Sequence, residues 1–414
     1  MISNSVSDAR VPADGPVTPT VRTPAGLLLM KVMFGAFYLF LASEFFSIAV
    51  NSLMLGLMAL AWALIMIVER RIVLVRTPFD WFFLAYLIVQ AAATAFSQDP
   101  AQSLLFSKRL LLIGIVYFVA TWITSETLAK RTMAVLLGAA VAVAIWGGIK
   151  LLIAPPGEIV RLGIFQFYMT TSELMMISFL MLLPFAVVPG VPRTVRVAAL
   201  IGIVPLLVAL YATVTRGPLI AAVAGTLVVA LLLNRKLLMF LLAGIVLMLL
   251  VASPYVAGRL ESITNVHAHD NLTRLMLWRI GLESFREHPL IGVGDIDLGR
   301  LIAEHHRPDD PLEPLGHMHN IVMQFLVTHG AVGLTVILAM FAAVIIAEAR
   351  IYRRVRGWWF PRAAAAGSIA VFVGFQIAGL TEWTFGDQEI VILFWLSIGL
   401  ALAVNALVPQ EGDR

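Results

Sequence analysis

The sequence predicts an all-α polytopic membrane protein with about twelve transmembrane helices and one long helical loop between the ninth and tenth. Three observations carry this. Hydrophobic residues make up 60% of the chain and charged residues 13%, with a mean hydropathy of +0.93. Apolar runs of about 20 residues, enough for a helix to cross the hydrocarbon core, recur along the whole chain. Just one connection, 254–316, is long and polar. Short alternating segments of a membrane β-barrel are absent from the pattern. A soluble fold is excluded by size, because 414 residues cannot bury so many all-round apolar helices.

Taken in order, residues 1–25 are polar and Pro-rich (PADGPVTPTVRTP) and read as a disordered cytoplasmic tail without the charged-then-apolar order of a signal peptide. Nine spans are expected within 26–253: 26–43, 47–68, 79–96, 108–124, 132–153, 171–189, 196–214, 217–233 and 237–253. Three more follow at 317–347, 363–381 and 389–407, before a short tail at 408–414. The tenth is too long for one straight crossing and is expected to tilt or to extend beyond the bilayer. Basic residues set the orientation. Arg70, Arg71 and Arg76, then Lys130 and Arg131, then Arg193 and Arg196, then Arg235 and Lys236 fall in alternate short loops. The same side receives Arg350, Arg353, Arg354, Arg356 and Arg362. Both termini are therefore expected in the cytoplasm, with 254–316 on the outer side. Orientation also explains the pI near 9.5 better than nucleic-acid binding does.

The long loop holds six Arg, no Lys and ten acids, and all eight histidines lie between His267 and His329. Asp270 or Asn271 is expected to cap a helix over LTRLMLWRIGLESFREH, with Leu275, Trp278, Leu282 and Phe285 as its apolar stripe. HPLIGVGD forces a turn through Pro289, Gly292 and Gly294. A second short helix, IDLGRLIAEHH, must stop before Pro308. Two amphipathic helices of this kind suit a roof over a cavity at the membrane surface.

Candidate chemistry gathers at the loop's borders. Arg216 stands in TRGP between spans seven and eight, where an ionisable group is costly unless it serves a site. Thr215 is expected to cap the next helix, so free N–H groups, a positive helix end and a guanidinium would converge there, as a phosphate or diphosphate requires. The plainer reading is an Arg that snorkels to anchor a helix end. HMHN, His317 to Asn320, opens span ten, where a helix N-terminus favours neutral imidazole and hence a general base. On one helix the two histidines cannot share a face, so His319 alone is expected to point inward, with Asn320 and Gln324 beside it. Its plainer reading is a histidine bonded to a loop carbonyl. Arg161, Arg274, Arg279 and Arg109 are further candidates for an anion site, although one of Arg274 and Arg279 is expected to pair with Glu283 or Glu287. Glu173 and Glu382 lie near the same border without a defined role. The histidines match no closed zinc spacing, and Asp295-x-Asp297 reads as helix capping. With no cysteine, thiol chemistry and thiolate metal sites are excluded.

The pattern resembles the O-antigen ligase family, within the wider group of O-antigen ligases and polymerases. TRGP resembles that family's Arg-Gly element, and NLTRLMLWRIGLESFREHPLIGVGDIDLG its loop pattern of Arg, Trp and His-Pro-Leu-x-Gly-x-Gly. HMHNIVMQFLVTHGAVGL resembles the His-Asn opening of the next span, followed by Gly330 and Gly333. The resemblance implies a GT-C-like membrane glycosyltransferase in a Gram-negative inner membrane, active on its periplasmic face. It implies a glycan donor on undecaprenyl diphosphate, a sugar hydroxyl of lipid A–core as acceptor, no cofactor and no metal. Under it, His319 and Arg216 are catalytic, while Arg274, Arg279, Arg161, Arg109, His317 and Asn320 bind substrate. An O-antigen polymerase or a protein O-oligosaccharyltransferase would share the pattern. A transporter or flippase would instead show charges at the midplane, broken helices and repeats.

Overall fold

A computed structural model describes residues 21–155, 158, 160–250, 258, 268–311 and 315–409. The ends of both expected tails, the last residues of the expected ninth span (251–253) and the loop stretches 254–257, 259–267 and 312–314 lie outside the described residues. The described chain is all helix, without a strand. Its elements are α1 (Pro24–Ser43), α2 (Ile48–Val68), α3 (Asp80–Ala95), α4 (Pro100–Phe106) and, after a 3₁₀ stretch at Ser107–Ile113, α5 (Gly114–Trp122). Then come α6 (Glu126–Ile153), α7 (Tyr168–Val187), α8 (Arg193–Ala212), α9 (Arg216–Leu233) and α10 (Leu237–Leu250). The long loop contributes α11 (His269–Glu287) and α12 (Gly299–Glu304), and the chain ends with α13 (Ile321–Arg354), α14 (Trp359–Gly379) and α15 (Gln388–Ala406).

Ten of these helical stretches are long and apolar enough to cross a membrane, and Asp80–Ala95 and Leu237–Leu247 are shorter apolar helices. The chain is a multi-pass membrane protein. Burial sorts the spans into two shells. α7, α14 and α15 have 83%, 78% and 83% of their apolar stretch inside the protein, whereas α2 has 22% and α8 has 28%. The outer helices leave Leu53, Ile67, Leu200 and Ile201 exposed, as side chains in contact with lipid tails should be. Small residues let the inner helices meet closely. A methyl on Gly225 of α9 would strike Leu180 of α7, and one on Gly367 of α14 would press on the main chain of Met181.

α13 is not one straight or tilted rod. At Gly330, φ is 65° and ψ is −167°, so the helix breaks about two and a half turns after its start at Ile321 and resumes. HPLIGVGD fills the break. Ala331 N–H donates to Pro289 C=O at 2.9 Å and Val332 N–H to Leu290 C=O at 3.2 Å. In return Val293 N–H donates to Val327 C=O at 2.9 Å and Gly294 N–H to Thr328 C=O at 3.0 Å. The loop thus satisfies the peptide groups that the break exposes. Only a residue without Cβ fits, since a methyl at Gly330 would overlap the main chain of Leu290. His329 beside it bonds Gln90 of α3 at 2.8 Å and Thr328 at 2.7 Å, tying the break to the next helix.

The loop helices also depart from expectation. Neither Asp270 nor Asn271 caps α11, which begins at His269 after Ala268 without a side-chain cap. Its buried stripe is Thr273, Met276, Leu277, Ile280, Gly281 and Ser284, and Leu275 and Leu282 are exposed. The apolar positions 275, 278, 282 and 285 form a real stripe, but Met318, Met323 and Val327 cover the opposite one. Asp297 does serve as a local cap, accepting from Gly299 N–H at 2.9 Å. Asp295 does not; it is buried against Arg109 at 3.4 Å.

Candidate functional site

A cavity of about 700 Å³ opens at the end of the bundle beneath α11. Its walls come from the loop before α7, the start of α9, the face of α11, the residues before α13 and the turn after α14. Arg161, Arg216 and Arg274 line it together with Glu173, His317, His319 and Glu382. Phe167, Ile220, Leu275 and Trp278 give it an apolar side.

Each arginine is held by a different element. Arg161 lies over the ring of Tyr168 at 3.5 Å and donates to Thr213 C=O and the Thr215 hydroxyl at 3.3 and 3.4 Å. Arg216 is the first residue of α9 and pairs with Asp270 at 3.1 Å. Thr215 occupies the N-cap position, but its hydroxyl donates back to Thr213 C=O rather than capping the helix. Gly217 has its own reason: a methyl there would land on the Thr381 hydroxyl. That contact brings Arg216 beside the turn that carries Glu382. Arg274 donates through two nitrogens to Thr381 C=O, each at 3.2 Å, so α11 is pinned to the same turn.

His317 and His319 both face Glu382. His319 Nδ1 lies 2.9 Å from its carboxylate and His317 Nδ1 lies 3.7 Å away, with the rings 4.1 Å apart. The expectation that only one would point inward fails because neither is helical. α13 starts at Ile321, so both histidines precede it, and His319 sits in a left-handed conformation at φ 44°. Val214, two residues before Arg216, also has a positive φ of 51°. Strain of this kind, about 1–3 kcal/mol per residue, persists where surrounding structure imposes it.

Glu382 is fixed in turn by Trp383 N–H at 3.0 Å. Its turn rests on an aromatic floor in which Trp383 meets Phe325 at 5.1 Å and Phe385 meets Phe375 at 5.2 Å. Burial works against the charge of Glu382, but the His319 bond, both imidazoles and the Trp383 N–H outweigh it and hold the carboxyl below its ordinary value. His317 moves to about 4, mainly through desolvation and then through its neighbour His319, so it is neutral near pH 7. An ionised Glu382 against His319 Nδ1 makes that nitrogen the N–H and leaves Nε2 with the lone pair. Glu173 is 1% exposed, lines the cavity, and has no hydrogen-bond partner for its Oε2.

Three of the sequence-predicted residues fall elsewhere. Arg279 turns away into a network with Glu283 at 3.1 Å and Asp310 at 2.5 Å. Arg109 lines a separate, much smaller cavity with Asp295, Tyr86 and His329. Asn320 caps α13, accepting from Val322 and Met323 N–H, and ties it to Leu380 C=O. Gln324 likewise accepts from Met318 N–H and shapes the approach to the helix. Tyr168 and Thr381 were not legible as site residues, since an aromatic or a threonine at a helix border carries no chemical signature alone. Glu173 and Glu382 were visible as border acids, but nothing in their spacing joined them to the histidines.

The segment running from α8 through Arg216, α11 and both histidines to α13 matches a known family model, described as O-antigen ligase, over residues 201–338. The match covers about a third of the chain and supports the O-antigen ligase family. No curated protein matches the chain. The family supports an activity of the O-antigen ligase or polymerase type, a glycosyltransferase-like reaction whose substrates in general are polyprenyl-linked glycans and lipid A–core. The O-antigen ligase segment contains Arg216, Arg274, His317 and His319. Arg161, Glu173 and Glu382 reach the same cavity from outside it.

Proposed function

We propose that this protein is an O-antigen ligase, transferring a glycan from undecaprenyl diphosphate to a sugar hydroxyl of lipid A–core on the periplasmic face of a Gram-negative inner membrane. The observation that carries the reading is one cavity with a guanidinium cluster on one side and an oriented His–carboxylate pair on the other. A lipid-linked diphosphate suits the arginine side, and the apolar wall of Ile220, Leu275 and Trp278 suits its first isoprenes.

In this mechanism the acceptor hydroxyl attacks the anomeric carbon while the bond from that carbon to the diphosphate oxygen breaks. His319 Nε2 takes the hydroxyl proton, and Glu382 stays ionised to stabilise the imidazolium. Arg216, Arg161 and Arg274 receive the charge that grows on the leaving diphosphate. A single displacement inverts the anomeric centre. The leaving group already carries its activation, and the arginines supply the positive charge, so no nucleotide or metal enters the scheme. Glu173 offers its unpartnered oxygen to a sugar hydroxyl.

The test is transfer by purified protein between the lipid-linked glycan and lipid A–core, with EDTA present. Activity should survive the chelator and fall about 100-fold or more in His319→Ala and Arg216→Ala. Full activity in both variants would overturn the site. Extension of a second carrier-linked glycan in place of lipid A–core would identify a polymerase.

A further inference from the structure

The His317–His319–Glu382 cluster offers more than a base and its partner. We propose that these three side chains form a zinc-binding site open to the cavity, and that zinc occupying it blocks glycan transfer. Binding stands on geometry alone. The inhibitory half rests on the reading of His319 as the base.

Zinc takes imidazole and carboxylate donors in a tetrahedron with bonds of about 2.0–2.2 Å, which places neighbouring donors roughly 3.3 Å apart. Glu382 Oε1 lies 2.9 Å from His319 Nδ1 and 3.7 Å from His317 Nδ1, on either side of that separation. Donor atoms of the three residues lie within 4.8 Å of one another. Two neutral imidazoles and one carboxylate form the donor set of open, three-ligand zinc sites, with a fourth position for water. Here the cavity supplies that position, because all three residues line it. The turn holding Glu382 and the backbone before α13 are both fixed, so little ordering remains to be done. Occupation has a cost: His319 gives up its Nδ1 hydrogen, and His317 Nδ1 gives up the bond it accepts from His319 N–H at 3.3 Å.

The same displacement explains the block. With zinc on Nδ1 of His319, the remaining ring hydrogen must sit on Nε2. That nitrogen then donates and cannot accept a proton from the acceptor hydroxyl. The metal therefore locks the tautomer that the Glu382 bond otherwise excludes. Its charge would also compete with the three arginines for the diphosphate.

The experiment uses the full chain in nanodiscs, stripped with chelator, and ZnCl₂ as the probe. Calorimetry should show one saturable site that weakens about tenfold or more in His317→Ala and in Glu382→Gln, and that is unchanged in His305→Ala, a histidine of α12's far end. Cobalt in place of zinc should give the intense visible absorption of a tetrahedral ion in the wild type and lose it in both cluster variants. Thermal unfolding of each variant identifies any that has not folded, and His317→Gln then replaces His317→Ala. Transfer should fall in proportion to zinc occupancy and return with EDTA. Absence of a saturable site, or equal binding in the cluster variants, overturns the zinc site and leaves the transferase reading intact. Stoichiometric binding at the cluster with transfer unchanged keeps the metal site but overturns the block, and with it His319 as base.

Discussion

Replacing Glu382 by Gln tests the coupling between the carboxylate and His319 directly. The substitution keeps size and one oxygen but removes the charge that faces the ring at 2.9 Å. At an effective dielectric near 20, opposite unit charges at 2.9 Å attract by about 6 kcal/mol. Water in the open cavity and the surviving amide hydrogen bond reduce the loss, leaving about 3 kcal/mol against the imidazolium that forms during transfer. At about 1.4 kcal/mol per decade this is roughly a hundredfold fall in kcat. The amide can also present its NH₂ group to Nδ1, which would stabilise the wrong tautomer and deepen the loss to about a thousandfold. KM for the lipid-linked donor should change by less than about threefold, because the arginines hold the diphosphate. The assay is steady-state transfer in detergent with labelled donor, with thermal unfolding to show that the variant is folded. A folded Glu382→Gln enzyme within threefold of wild-type kcat, beside an inactive His319→Ala, would refute the role given to the carboxylate.

Three further outcomes follow from the geometry. Arg216→Lys retains the charge at the start of α9 but loses the guanidinium fork, so kcat/KM for the donor should recover only part of the loss seen in Arg216→Ala; full recovery would show that charge alone suffices there. Gly330→Ala places a methyl against Leu290 at a φ of 65° and should cost about 2–4 kcal/mol, read as a fall of several degrees in Tm; an unchanged Tm would refute the docking of HPLIGVGD into the helix break. His317 titrates at about 4 when folded against an ordinary 6.5, so between these values the unfolded chain binds a proton that the folded one refuses. Stability from this group is complete above about pH 6.5 and is lost as pH falls toward 4, and Glu382, held below its ordinary value, adds loss in the same direction. Tm measured across this window should fall with acidification, less steeply in His317→Gln, and identical slopes would refute the burial of a neutral His317.

The sequence by itself determined the membrane class and marked two borders as candidates for chemistry. These follow from composition and local periodicity, because lipid demands about 20 apolar residues per helix wherever the helix sits. Arg216 and His319 were legible for a related reason: a polar group is conspicuous against apolar spans. Tertiary structure alone decided the rest. Glu382 lies 63 residues from His319 and joins it only because Gly217, Thr381 and Arg274 draw three elements onto one turn. Whether Arg274 or Arg279 faced the cavity depended on which stripe of α11 met α13, and both stripes were apolar enough to be buried. The conformation of His319 was likewise beyond local pattern: its positive φ stands beside the Asn320 cap of the next helix and the Glu382 contact to its ring. Residue types mark where chemistry is affordable in a membrane, but contacts between distant segments select which of them meet.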